Sequence, residues 1–111
     1  MQAVPHFKLW FEVDGKSIIG EGRASLLKEI LECGSLSKAA RNLEISYRHA
    51  HDLVASINER CGETIIESSV GGAKGGGTRL TEKGEQLVKD YLALKDEMTT
   101  YVGKYQGGYT D

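Results

Sequence analysis

The segment from Ser35 to Arg60 constrains the fold most, because it predicts two helices separated by only a few residues. Ser35 and Ser46 each precede an apolar stripe and can cap the helix that carries it. The stripe of the first helix is Leu36, Ala39, Ala40 and Leu43, and that of the second is Ala50, Leu53, Val54 and Ile57. Alanine at the crossing point lets two helix backbones approach closely at a steep angle. The segment therefore predicts a helix-turn-helix of the kind that binds DNA.

The second predicted helix has a polar face opposite its apolar stripe, at about 100° of rotation per residue. This face carries Arg48, His51, Asp52, Ala55 and Glu59. A recognition helix presents its N-terminal residues to base edges in the major groove, which makes Ser46, Tyr47 and Arg48 the predicted readers. Helical hairpins in other folds share the same apolar spacing, so this segment alone leaves a fold without DNA binding open.

Net charge bears on this interpretation. The formal charge of −2 and the pI near 5.9 are not those of a general nucleic-acid binder. However, residues 35–60 contain four basic and three acidic side chains, which gives a local charge of +1. Residues 81–111 contain four lysines and six acidic residues, which gives a local charge of −2. The acidity is concentrated in the C-terminal segment, and the predicted docking face need not repel phosphate.

Length and composition indicate one soluble globular domain over residues 1–111, with 27% charged and 40% hydrophobic residues. No apolar run approaches the roughly 18 residues needed to cross a bilayer, and no signal-peptide pattern opens the chain. Cys33 and Cys61 lack the CxxC spacing of a metal site, so we expect reduced structural thiols and a cytoplasmic protein that does not bind membranes.

The N-terminal third predicts a β-hairpin followed by a helix. Apolar residues alternate from Phe7 to Val13, Asp14 and Gly15 supply the turn, and residues 17–20 form the returning strand. Trp10 falls on the polar side of the first strand, where it either covers another element or is an exposed contact residue. The helix runs from about Gly22 to Cys33, with Gly34 ending it and a core stripe of Leu26, Leu27, Ile30 and Leu31.

A glycine-rich loop separates two short predicted strands, at residues 64–70 and 78–80. The intervening GGAKGGG has neither the GxxxxGK[ST] nor the GxGxxG spacing of a phosphate-binding enzyme loop. A flexible hairpin explains the glycines but makes no use of Lys74. A DNA-binding wing over residues 64–80 explains both, because backbone amides, Lys74 and Arg79 could then lie against the phosphodiester chain.

The last predicted helix, residues 81–103, begins at a Thr81 cap and carries apolar residues at alternating steps of four and three. This spacing is typical of a coiled-coil seam and predicts a dimerisation surface. Packing against its own domain alone is the alternative. The predicted dimerisation residues are Leu87, Tyr91, Leu94, Met98 and Tyr101.

Three segments, LWFEVDG, GSLSKAARNLEISYRHA and GGAKGGGTRLTEKG, resemble the N-terminal winged helix of the molybdate-responsive ModE family, which is itself similar to the LysR-type DNA-binding domain. The resemblance implies a mostly α winged helix-turn-helix with small β-hairpins. It places Lys74 in the wing and Ser46, Tyr47 and Arg48 at the start of the recognition helix. The predicted DNA-binding residues are Ser35, Ser37, Lys38, Ser46, Tyr47, Arg48, His51, Lys74 and Arg79.

The sequence departs from the ModE pattern in two ways, which change the expected ligand binding and the expected base preference. Full-length members carry a C-terminal oxyanion-binding module, whereas this sequence stops after the predicted dimer helix, so we expect neither molybdate nor another oxyanion to bind it. His51 or a neighbour stands where an aromatic residue is common, which implies a different base preference.

The sequence therefore predicts a sequence-specific transcriptional regulator that binds palindromic double-stranded DNA as a homodimer. We expect no catalysis, cofactor or metal, because His49 and His51 are two residues apart on a helix and diverge, unlike the i, i+4 pair of a helical metal site. A protein-interaction or dimerisation module with a winged-helix shape and no affinity for DNA is the alternative function.

Overall fold

The computed structural model describes residues 1–69 and 77–105, and within these ranges it contains two antiparallel hairpins and four helices. The predicted mostly helical fold class is confirmed. The elements are β1 (Phe11–Val13), β2 (Lys16–Ile19), α1 (Glu21–Cys33), α2 (Leu36–Asn42), α3 (Tyr47–Cys61), β3 (Ile66–Ser69), β4 (Gly77–Leu80) and α4 (Glu82–Gly103).

The first hairpin turns at Asp14 and Gly15, whose φ angles of 50° and 77° lie in the left-handed region. This confirms the predicted turn. The strand expected to begin at Phe7 begins only at Phe11, which pairs with Ile19 at the end of β2. Residues upstream of Phe11 therefore have no strand partner in this hairpin, and the carbonyl of Leu9 instead accepts a hydrogen bond from the Tyr91 hydroxyl at 2.9 Å.

Helix α1 supports the two helices that follow it. Its buried residues are Ala24, Leu26, Leu27 and Ile30. It ends at Gly34, whose φ is 65° and whose N–H donates to the Ile30 carbonyl at 2.9 Å, as predicted. Leu31 was expected in the core but is 39% exposed, because it lies at the edge of the stripe in the last turn of the helix.

Helices α2 and α3 form the predicted helix-turn-helix. The Ser35 hydroxyl accepts a hydrogen bond from the Lys38 N–H at 3.2 Å, and the Ser46 hydroxyl accepts one from the His49 N–H at 3.0 Å. Glu44 makes the corner with φ of 58°, in the left-handed region. The alanines at the crossing, Ala39, Ala40 and Ala50, are almost completely buried. Small side chains therefore do allow the close approach of the two helices.

Helix α4 begins at a Thr81 cap, where the hydroxyl accepts from the Gly84 N–H at 3.2 Å. Its N-terminal half packs on the core through Val88 and Tyr91, which are 0% and 1% exposed. The Tyr91 ring meets the edge of Phe11 at a centroid distance of 5.4 Å. Among the described residues, no helix is both long and apolar enough to cross a membrane.

The prediction that Tyr91 forms part of an intersubunit seam needs correction. Its ring is buried within its own chain and its hydroxyl is held by the Leu9 carbonyl. Spacing along a helix does not distinguish a residue packed on its own core from one packed on a second subunit.

Candidate nucleic-acid interface

The N-terminal half of α3 has an exposed cluster of four side chains, which we name the α3 cluster: Tyr47, Arg48, His51 and Asp52. They line a shallow depression of about 400 Å³. The Tyr47 and His51 rings lie one helical turn apart, with centroids 6.3 Å apart and planes inclined at 34°. The cluster combines a guanidinium fork, two aromatic faces and a carboxylate, all of which can contact base edges.

The two capping serines begin α2 and α3. The hydroxyls of Ser35 and Ser46 both accept hydrogen bonds from backbone N–H groups, and neither donates one to another residue in the described ranges. Their hydroxyl hydrogens are therefore available to a phosphate or base acceptor. Ser37 and Lys38 lie exposed in the first turn of α2 and outside the depression lined by the α3 cluster.

The second hairpin carries Arg79, one of the two predicted wing residues, at its base. Arg79 on β4 donates through Nε to the Glu67 carboxylate on β3 at 2.6 Å, and both side chains are exposed. The charge of Arg79 is thus partly compensated within the hairpin, by a pairing that depends on the strand register. Lys74, predicted at the tip of the wing, lies outside the described residues.

Asn58, a residue that the sequence did not single out, connects α3 to the second hairpin. Its Oδ1 accepts from the N–H groups of Ile65 and Ile66 at 2.8 and 3.0 Å, and its Nδ2 donates to the Ile66 carbonyl at 2.9 Å. One side chain therefore sets the orientation of β3 relative to the helix that carries the α3 cluster. The available signal was an asparagine inside the predicted helix, four residues after Val54 of the apolar stripe, where this residue has no local advantage.

Helix α4 has an apolar stripe beside its core-facing side. Leu94 is 40% exposed, Tyr101 61% and Tyr105 47%, whereas Leu87 and Met98 are partly buried. The Tyr101 and Tyr105 rings pack edge to face with centroids 5.5 Å apart. We name these five residues the α4 stripe. Leu94 and Tyr101 on α4, together with Tyr105 two residues past the end of the helix, form an exposed apolar surface that favours an interaction.

The remaining candidates for reactive or metal-binding groups in the described residues are the cysteines and clusters of His, Cys, Asp and Glu. Cys33 and Cys61 are free thiols, and burial raises the pKa of Cys61, with a smaller contribution from the negative charge of Glu63. A raised pKa keeps this thiol protonated and unreactive at neutral pH. In residues 1–69 and 77–105, no group of three or more His, Cys, Asp or Glu side chains is placed to hold a metal ion.

Residues 23–85, more than half of the chain, match the lysR family of bacterial regulatory helix-turn-helix proteins. The chain belongs to this family. Members of this family are regulatory helix-turn-helix proteins, in agreement with the helix-turn-helix that the sequence predicts.

The resemblance to ModE proteins is also confirmed. The chain is 42% identical over 73 residues to the transcriptional regulator ModE of Haemophilus influenzae, an alignment that covers 66% of this chain and 29% of that protein. It is 33% identical over 94 residues to the molybdenum-pterin-binding protein MopA of Rhodobacter capsulatus, covering 85% of this chain and 36% of MopA. The chain thus spans about a third of the length of these curated relatives.

Solved structures support the same fold. A mutant of ZitR from Lactococcus lactis matches with a TM-score of 0.62 and 21% identity, covering 91% of this chain and 68% of that one. ArgP of Mycobacterium tuberculosis matches with a TM-score of 0.58 and 15% identity, covering 76% of this chain and 30% of that one. At these identities the likeness concerns the fold alone.

Proposed function

We propose that the chain binds a palindromic DNA site as a homodimer, with α3 in the major groove and the second hairpin against the adjacent phosphates. The exposed α3 cluster carries the proposal, because its polar groups project from the N-terminal half of the second helix of a helix-turn-helix. The capping hydroxyls of Ser35 and Ser46, together with Ser37 and Lys38, would contact the backbone and set the register.

Arg48 is the proposed principal base reader. It is exposed, and its guanidinium forms no ion pair or hydrogen bond with another residue in the described part of the chain. A free guanidinium fork can donate two parallel hydrogen bonds to O6 and N7 of guanine. We expect Arg48→Ala to weaken binding to the preferred site by about 1 to 3 kcal/mol and to relax base preference at one position. Selection from a random duplex library, followed by titration, measures both effects.

Arg48→Lys is the matched control, because it keeps the positive charge but loses the planar fork. We expect it to retain affinity for random duplex DNA while losing preference at the position that Arg48 reads. If Arg48→Ala left both affinity and selectivity unchanged, α3 would not read bases through this residue.

The wing residues have a proposed role in phosphate contact. Arg79 would reach a phosphate in competition with its ion pair to Glu67, and both groups are exposed enough for the exchange. For Lys74 the support is its position among glycines in the sequence. Contacts of this kind strengthen binding to all duplexes and increase its salt dependence, because they release condensed counterions.

Two arguments support a homodimer: the small number of base pairs that one recognition helix contacts, and the exposed α4 stripe. One recognition helix contacts only a few base pairs, too few to select a site among the competing sequences of a genome. Two copies related by a twofold axis need only one self-complementary surface, and the α4 stripe offers exposed apolar area for it. The two α3 helices would then lie in successive major grooves, about 34 Å apart or a multiple of that distance.

We expect wild-type protein to sediment at micromolar concentration with twice the 12.1 kDa mass of the chain. Leu94→Glu should lower both the mass and the affinity for the site, because it places a charge in the apolar interface. Thr100→Glu adds the same charge at an exposed position outside the α4 stripe and should change neither. A wild-type monomer that bound a palindromic site tightly would mean that DNA, rather than α4, brings the subunits together.

The net charge of −2 favours one alternative, a protein-interaction module with the same shape and no affinity for DNA. Binding to random duplex DNA at low salt distinguishes the two functions. Affinity that falls steeply as salt rises supports the regulator, whereas no binding at low salt supports the interaction module.

A further inference from the structure

We propose that Asp52 is a specificity-determining residue of the recognition surface, accepting a hydrogen bond from the exocyclic amino group of cytosine in the major groove. The inference rests on the proposed DNA-binding function and deepens it. It starts from the charge of the α3 cluster, in which one exposed carboxylate lies beside Arg48 on the face that would meet DNA.

No structural role within the described residues accounts for Asp52. It lies in the second turn of α3, where it cannot cap the helix, since Ser46 already does so. Its carboxylate makes no hydrogen bond or ion pair with any residue in the described ranges, although Arg48 is four positions earlier on the same helix. Both side chains therefore face solvent independently and line the same depression.

A carboxylate at this position has a defined electrostatic effect. Facing phosphates, it would repel the DNA backbone, so, compared with a position at the backbone, one at the base edges favours binding. There it can only accept hydrogen bonds, and cytosine N4 is the donor with which Asp and Glu pair in the major groove. The carbonyl oxygens of guanine and thymine would instead repel it, which disfavours these two bases as well as favouring cytosine.

The spacing from Arg48 agrees with this assignment. Four residues along an α-helix correspond to about 6 Å of axial rise, close to two base-pair steps of about 3.4 Å each. Arg48 and Asp52 can therefore contact different base pairs of one half-site, with Arg48 at a guanine and Asp52 at a cytosine one or two steps away.

Three variants test the proposal by library selection and by titration of random duplex DNA. Asp52→Ala should reduce discrimination at one position about tenfold while raising affinity for random duplex, because a negative charge is removed from the interface. Asp52→Asn keeps the shape and should shift preference at that position from cytosine towards adenine, the base that a carboxamide pairs with. Glu59→Ala removes the same charge from the exposed C-terminal part of α3 and should leave base preference unchanged.

The outcomes are separable. The assignment is supported if Asp52→Ala loses discrimination at one position and binds random duplex DNA more tightly, while Glu59→Ala keeps the wild-type selection profile. If the wild-type profile persists in Asp52→Ala and Asp52→Asn, the carboxylate does not read a base and the inference fails while DNA binding stands. If wild-type protein enriches no sequence and binds no duplex at low salt, it is the proposed function itself that fails.

Discussion

Gly84→Ala is expected to lower the free energy of unfolding by about 3 kcal/mol, because the added methyl group would overlap backbone that cannot move away. A Cβ atom at Gly84 would collide with the carbonyl oxygen of Ile65 and lie 3.2 Å from its carbonyl carbon. That carbonyl is itself held by the Thr81 N–H at 2.9 Å and the Thr81 hydroxyl at 3.2 Å. Alanine's higher helix propensity, about 1 kcal/mol, offsets only part of the cost.

Relief of this overlap requires α4 to move away from the segment that enters β3. Such a movement would also shift the α4 stripe relative to the helix-turn-helix and so change the distance between recognition helices in a dimer. Urea unfolding followed by circular dichroism gives the change in stability, and sedimentation of the folded variant reports whether the dimer persists.

Gly22→Ala is the control for this change. Gly22 lies exposed within α1, and a Cβ atom there would meet nothing within 4 Å. Replacing it should stabilise the protein by about 0.5 to 1 kcal/mol, since alanine loses less backbone entropy in a helix than glycine. If the two variants changed stability by similar amounts in the same direction, close approach of backbone at Gly84 would not be the reason for glycine there.

Asn58→Ala is the second change with a large expected effect, again about 3 kcal/mol of lost stability. The variant removes three hydrogen bonds to the backbone of Ile65 and Ile66, each contributing about 1 kcal/mol when its partners are left without replacement. Ile65 and Ile66 are 4% and 2% exposed, so water reaches their backbone groups poorly. Denaturant unfolding measures the loss.

Asn42→Ala provides the matched control, because the exposed amide of Asn42 donates a single hydrogen bond to the Glu29 carboxylate at 3.1 Å. Its removal should change stability by less than about 0.5 kcal/mol. Under conditions where both variants are folded, Asn58→Ala should also bind DNA less tightly, since β3 is no longer held against α3. Equal stability of the two variants would show that water replaces the Asn58 hydrogen bonds at no cost.

Local features explain why so much of the fold was predictable. Helix ends depend on a capping group within three or four residues, so Ser35, Ser46 and Thr81 identified the starts of α2, α3 and α4, and Gly34 the end of α1. The apolar stripes of α2 and α3 and the Asp14–Gly15 turn are likewise encoded within a few consecutive residues. The exposed position of Arg48 followed from helical periodicity alone.

The features that only the tertiary structure decided all depend on residues distant in sequence. Strand β1 begins at Phe11, which pairs with the last residue of β2, Ile19. Tyr91 is buried, and the carbonyl of Leu9, 82 positions earlier, accepts the hydrogen bond of its hydroxyl. The Arg79 pairing with Glu67 required the strand register, and the role of Asn58 required the path of the chain past α3. Periodicity determines which face of a helix a residue occupies, but the element that covers that face is determined by chain topology.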